Sequence, residues 1–218
     1  LITSKEAIAK KFNEFFAHIG QNIPEADGNY ADTIVQNISV KGSMFVEPTN
    51  VLEITNIVNG LKPNKSAGYD SYSPMVIKAV MPSIIQPLTD IFNQSLMTGV
   101  FPDKLKIARV TPIFKAEDKL IMINYRPVSG LPVFSKILER LMYNRLLKYL
   151  ESNSLLSSNQ FGFREKHSTY MALASLVDNI TNELEQKRHC VGIFIDLSKA
   201  FDTLDHRILL DKHNLYGV

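Results

Sequence analysis

The residue in this chain best placed to do chemistry is Asp196. It ends an apolar run, Val191-Gly192-Ile193-Phe194-Ile195, and precedes Leu197, Phe201, Leu204 and Ile208 at three- and four-residue spacing. The run has no polar alternation and is rich in β-branched and aromatic side chains, which predicts a strand buried on both faces. The later spacing predicts a helix directly after it. In open α/β sheets ligands bind beyond the carboxyl ends of the strands. A carboxylate fixed there can hold a divalent cation, and Mg²⁺ suits one or two carboxylates together with substrate phosphates. An aspartate between a strand and a helix is also an ordinary N-cap, so the stretch alone leaves both readings open. Asp202 and Asp205 read as first-turn acids that favour the helix dipole.

A second set of residues is cationic. Between 104 and 148 there are ten bases and three acids, a net +7 in a chain whose total is +2. Within this region IARVTPIFK (107–115) reads as a strand, AEDKLIMI (116–123) as a connection and NYRPVSGLP (124–132) as an extended return. The resulting hairpin carries Lys115 on one arm and Arg126 on the other. Two long cations converging from a hairpin suit a polyphosphate or a nucleic-acid backbone, and a solvated basic hairpin would look the same. Farther on, Lys136, Arg140, Asn144 and Lys148 recur every four residues along an amphipathic helix over Ser135–Ser152. In SSNQFGFREKHST (157–169), Gly162 lies between two aromatics just before Arg164, a pattern that admits close approach of a flat or charged group. It also fits ordinary turn packing.

These residues need elements to position them. Residues 3–20 read as a helix with a Thr3/Glu6 capping box, a stripe of Ile8, Phe12, Phe15, Phe16 and Ile19, and a stop at Gly20. Residues 21–48 are polar and read as a long linker. A helix from Asn50 through Leu61 follows. Another starts at Ser73-Pro74, and a further one lies between Ser83 and Met97, closed by Gly99. A helix over Ser168–Lys187, with Leu173, Leu176, Val177, Ile180 and Leu184 inward, leads to the strand before Asp196. The 218 residues, 45% hydrophobic, suffice for one sizeable core. The single cysteine, Cys190, excludes an internal disulfide framework and reads as packing beside the strand. The five histidines show no metal-ligand spacing. No apolar run approaches membrane-spanning length and no signal peptide is evident, so an intracellular setting with no membrane partner is expected, nucleus or cytoplasm being unresolved. The chain begins without methionine and reads as a fragment.

Five stretches in this order resemble one family: LKPNKSAGYDSYSP (61–74), TPIFK with NYRPVSGLPVFSKILERLMYNRL (111–115 and 124–146), SSNQFGFREKHST (157–169), FIDLSKAFDTLDH (194–206) and LYGV (215–218). The family is the reverse transcriptase of non-LTR, LINE-type retrotransposons, nearest its jockey-like or CR1-like branch. The resemblance implies an α+β class and a right-hand polymerase fold. Helix-rich fingers would occupy 61–190 and the first strand and helix of the palm 191–218, truncated before the rest of palm and thumb. Residues 1–49 would be a helical linker joining an upstream endonuclease domain to a partial reverse transcriptase domain at 50–218. Asp196 matches the first metal-binding, catalytic aspartate, with the backbone carbonyl of Leu197 as a further ligand to one of two Mg²⁺ ions. Phe201 matches the gate that stacks beneath the incoming sugar and excludes a 2′-OH. Lys115 and Arg126 match the positions that grip the incoming triphosphate, and Gln160 and Arg164 lie where the family lines its template and nucleotide pocket. The implied substrates are an RNA template, a DNA primer and dNTPs, joined by attack of the primer 3′-OH on an α-phosphate.

The sequence departs from the family pattern in several places. It contains no Tyr-x-Asp-Asp hairpin and no glycine-glutamine motif, and two-metal chemistry needs carboxylates on both sides of the ions. Gly130 stands where the family usually carries a bulky aliphatic, and apolar LIMI (120–123) replaces a commonly polar turn. The 218-residue chain is therefore expected to polymerise nothing alone. The contrasting expectation is a catalytically dead remnant that binds nucleic acid through its basic region. A different phosphoryl-transfer enzyme would call for a GxxxxGK[ST] loop, which the sequence lacks.

Overall fold

The computed structural model describes residues 3–18, 42–197, 200–201 and 203–218. Helix α1 spans Lys5–His18. Its cap is Ser4, one residue later than expected, whose hydroxyl accepts from the Ala7 N–H and donates to Glu6. Ile19, Gly20 and most of the expected linker lie outside the described residues, and 42–48 carries no helix or strand.

Three helices build the core. Helix α2, Val51–Gly60, is capped by the Asn50 side chain, which accepts from the Glu53 N–H. Helix α3, Pro74–Thr98, starts on Ser73 with Pro74 in its first turn and ends on Gly99 at φ +69°. The two helices expected within this range are one. Pro82 and Pro87 sit inside it, and each removes an N–H and crowds the preceding turn. Packing outweighs that cost. Ile77 and Met81 before the two prolines, and Leu88 and Phe92 after them, are buried in a single cluster with Ile54, Val58, Val133, Ile137, Leu138 and Leu141. The merger also makes α3 long and apolar enough, by length and composition, to cross a membrane, contrary to the sequence expectation. In this fold its apolar stripe packs against α2 and against the helix over Val133–Ser152.

The one-turn helix α4, Asp103–Lys106, leads into strand β1, Arg109–Phe114. A 3-10 turn at Met122–Asn124 and strand β2, Tyr125–Gly130, complete an antiparallel hairpin with Phe114 opposite Tyr125 and Arg109 opposite Gly130. This is the expected hairpin. Its connection is closed locally: the Asn124 amide donates to the Asp118 carbonyl at 2.9 Å and the Tyr125 hydroxyl to the Lys119 carbonyl at 3.0 Å. Helix α5, Val133–Ser152, follows at once. The loop 61–73 folds back over the hairpin base. Gly68 is buried there, and a Cβ at this position would stand 2.5 Å from the Pro132 backbone nitrogen.

A polar network ties the helices together. Arg145 of α5 donates to both Glu53 carboxylate oxygens at 3.0 Å, and to the carbonyls of Glu47, Pro48 and Leu141. Thr49 links Glu53 to Asn93 of α3. Burial works against ionisation of Glu53, but hydrogen bonds from Arg145 and Thr49 and the Arg145 charge outweigh it and hold the carboxyl below its ordinary value.

Beyond α5 the character changes. Helix α6, Thr169–Glu185, is capped by Ser168 as expected, yet has no buried residue. Leu173, Leu176, Val177, Ile180 and Leu184, expected inward, are exposed, and no described element packs extensively against α6. The expected strand at 191–195 is not formed, and Val191, Ile193, Phe194 and Ile195 are each more than 80% exposed. A strand needs neighbours to satisfy its backbone, and among the described residues the only sheet is the two-stranded hairpin. Cys190 is likewise exposed rather than packed. Of the helix expected directly after Asp196, the described residues 197, 200, 201 and 203–205 are not helical; helix α7, His206–Leu215, is capped by Asp205, whose carboxylate accepts from the Arg207 N–H. Asp205 is therefore a cap rather than a first-turn acid, and Asp202 lies outside the described residues. The chain then returns to the core. The Tyr149 hydroxyl lies 2.7 Å from the Tyr216 carbonyl and 3.1 Å from that of Gly42, and Gly217, at φ +77°, leaves no room for a Cβ beside Gly42.

Candidate nucleotide-binding surface

The hairpin register decides where its cations point. Side chains alternate between faces along each strand, and Ile113 lies opposite Arg126. Arg109, Thr111, Ile113, Arg126 and Val128 therefore share one face. Lys115 continues the same alternation, its N–H donating to the Asn124 carbonyl at 2.8 Å. Lys115 and Arg126 are thus diagonal neighbours, with Cα atoms about 7–8 Å apart by ordinary sheet geometry. Both are exposed, and no described residue pairs with either side chain. The opposite face, with Pro112, Phe114, Tyr125 and Pro127, is taken up by α1. Phe12 meets the Tyr125 ring edge-on at 4.9 Å, and a half-open apolar cavity of about 740 Å³ lies between helix and hairpin. The cations consequently project from the side that α1 leaves uncovered.

Other bases of the region are already engaged. Arg145 serves the Glu53 network, Lys106 pairs with Asp103, Lys148 with Glu47, and Arg109 donates to the Ala67 carbonyl. The free positive face is narrower than the net charge implies, and Lys115 and Arg126 are part of it.

Gln160 and Arg164 act first on their own turn. The Gln160 amide donates to the Gly162 carbonyl at 3.3 Å, and the Arg164 guanidinium to the Ser157 carbonyl at 3.1 Å. Arg164 Nε is buried without a hydrogen-bond partner, beside an open pocket of about 370 Å³ lined by Glu151, Ser154, Leu156, Ser158 and His167. Phe163, at the tip of this turn, meets Phe201 edge to face with centroids 5.9 Å apart. The structure thus joins Lys115 to Arg126, and the 157–169 turn to Phe201. No hydrogen bond or ring contact among the described residues links the hairpin to Asp196 or Phe201.

Asp196 and Leu197 lie in the exposed, unpaired segment. Among the described residues no group of three His, Cys, Asp or Glu side chains could hold a metal. One carboxylate does not fit a two-metal centre, which requires oxygen ligands spanning both ions.

Two residues escaped the sequence reading. Arg145 falls on the same helical stripe as Leu138 and Leu141, and a base on an apolar stripe signals a buried charge in need of a partner. Phe163 carried no such signal, because its contact with Phe201 spans 38 residues of sequence.

Comparison with known proteins bears directly on this surface. The family described as reverse transcriptase (RNA-dependent DNA polymerase) matches residues 113–218, from the end of β1 through Asp196 to the last residue. A probable RNA-directed DNA polymerase from transposon BS of Drosophila melanogaster is 34% identical over 171 residues, 78% of this chain and 19% of its own length. The RNA-directed DNA polymerase from mobile element jockey of Drosophila funebris is 35% identical over 167 residues, 76% of this chain and 18% of its own. A probable RNA-directed DNA polymerase from transposon X-element of Drosophila melanogaster is 28% identical over 91% of this chain. The chain spans about a fifth of the length of these relatives. On these matches residues 113–218, which take in Lys115, Arg126 and the Asp196 segment, belong to the reverse transcriptase family, and the chain is similar to the RNA-directed DNA polymerases of these mobile elements over about three quarters of its length.

Proposed function

We propose that this chain contributes the incoming-nucleotide side of an RNA-directed DNA polymerase. The observation that carries the reading is the pair of uncommitted cations, Lys115 and Arg126, on one open face of the hairpin inside the family region. Two positive side chains at that separation suit adjacent phosphates of a dNTP. Phe201 serves as the gate against a ribose 2′-OH, and Gln160 and Arg164 line the template side. In this reading 61–190 forms fingers, 191–218 opens the palm, and 1–49 connects to an upstream endonuclease within a cell. Asp196, with the Leu197 carbonyl, supplies one carboxylate toward Mg²⁺, and the two-ion arrangement needs more than this one.

RNA-templated primer extension by the full-length protein tests the proposal. Lys115→Ala and Arg126→Ala should each raise the KM for dNTP by about tenfold, the loss of one charge-assisted hydrogen bond. Asp196→Ala should abolish synthesis. Extension unchanged in all three variants would contradict the assignment. A full-length protein that binds RNA but extends no primer would favour a catalytically dead binding module.

A further inference from the structure

We propose that Phe163 is a positioning residue for Phe201, and that its ring sets how sharply the site discriminates against ribonucleotides. The inference rests on the reading of Phe201 as the sugar gate. The two rings meet at an interplanar angle of 89°, the edge-to-face geometry that aromatic pairs favour. Phe163 is 85% exposed and Phe201 80%, so the contact contributes little to a core. Phe163 is nevertheless held at φ +60°, a left-handed conformation that a bulky side chain rarely adopts. Such conformations persist only where surrounding structure enforces them, and they gather at functional sites.

The enforcement is visible on both sides of Phe163. The Gln160 N–H donates to the Ser157 carbonyl, the Gln160 amide to the Gly162 carbonyl, and Arg164 to the Ser157 carbonyl. Phe161 packs on the His167 ring at 6.0 Å. A pinned turn therefore presents one aromatic ring outward, and that ring meets Phe201, which stands outside regular secondary structure. A side chain on such a segment samples several rotamers unless something restricts it. Phe163 provides the restriction. A gate ring that wanders admits a 2′-OH, and one held in place does not.

The test compares incorporation of dATP and ATP opposite a template uridine by the full-length protein, as the ratio of the two kcat/KM values. Phe163→Ala should shift the ratio toward ATP by about threefold to tenfold, the worth of one edge-to-face pair. Phe163→Tyr, which keeps the ring, should restore the original ratio. In a Phe201→Ala background Phe163→Ala should add nothing. If Phe163 served only the stability of its turn, both nucleotides would lose equally and the ratio would stay fixed, which overturns the proposal. A ratio that Phe201→Ala moves and Phe163→Ala does not overturns it in the same way. A ratio that neither variant moves removes the gate assignment itself, and the proposal with it.

Discussion

Residues 47–152 and 153–218 make comparable local structure and very different tertiary structure. Both contain well-capped helices: Asn50 and Ser73 cap α2 and α3, and Ser168 and Asp205 cap α6 and α7. Yet among the described residues every buried hydrophobic residue lies between Ile54 and Leu141, and α6 and α7 bury none. Caps and periodicity decide whether a helix forms. Burial depends on a partner that packs closely, and among the described residues α6 and the 191–195 run stay exposed. Lys115 and Arg126 sit on the packed half and Asp196 on the unpacked half. Under the proposed reading, the triphosphate side stands on a packed scaffold, whereas the metal side requires an element to cover it.

Substitutions that affect only one half sharpen the contrast. Phe92 is fully buried among three helices, and Phe92→Ala should cost about 3–5 kcal/mol in chemical denaturation. Breaking the clamp comes next. Arg145→Met strands the partly buried Glu53 carboxylate and should cost about 2–3 kcal/mol near neutral pH. Because the Glu53 pKa is depressed in the fold, its contribution is present above the ordinary value of 4.5 and is lost as pH falls through the folded value. Denaturation midpoints followed downward from neutral pH should show this loss in the parent and lack it in Arg145→Met. Gly68→Ala pushes a methyl group against the Pro132 backbone and should cost about 1–2 kcal/mol. Leu176→Ala, on the uncovered face of α6, should change stability by less than about 0.5 kcal/mol. A loss at Leu176 rivalling that at Phe92 would break the comparison.

Much of the packed half was legible from sequence. Asn50, Ser73-Pro74 and Gly99 mark helix ends through local chemistry, and the hairpin followed from two extended runs around the connection at 116–123. The prolines of α3 misled because their cost is local while the compensating burial of Met81, Leu88 and Phe92 comes from other helices. The cap at Ser4 rather than Thr3 is a one-residue boundary shift of the usual kind. The 191–195 run misled differently. Its composition describes the environment such a segment requires, and in this structure that environment is absent. Of the candidate site, the sequence spacing put Lys115 and Arg126 on opposing arms, and the register then put them on one face. The Phe163–Phe201 contact could not be read, because turn geometry at φ +60° is invisible to periodicity.

Amide hydrogen exchange on the 218-residue polypeptide tests the division most directly. Amides within α2, α3 and α5 around Ile54, Phe92 and Leu141 should be the slowest to exchange, opening only with global unfolding. Those of 191–197 should exchange at the rate of an unstructured chain. Strong protection across 191–197, matching that of α5, would mean that the strand before Asp196 is paired and buried, and would contradict the account.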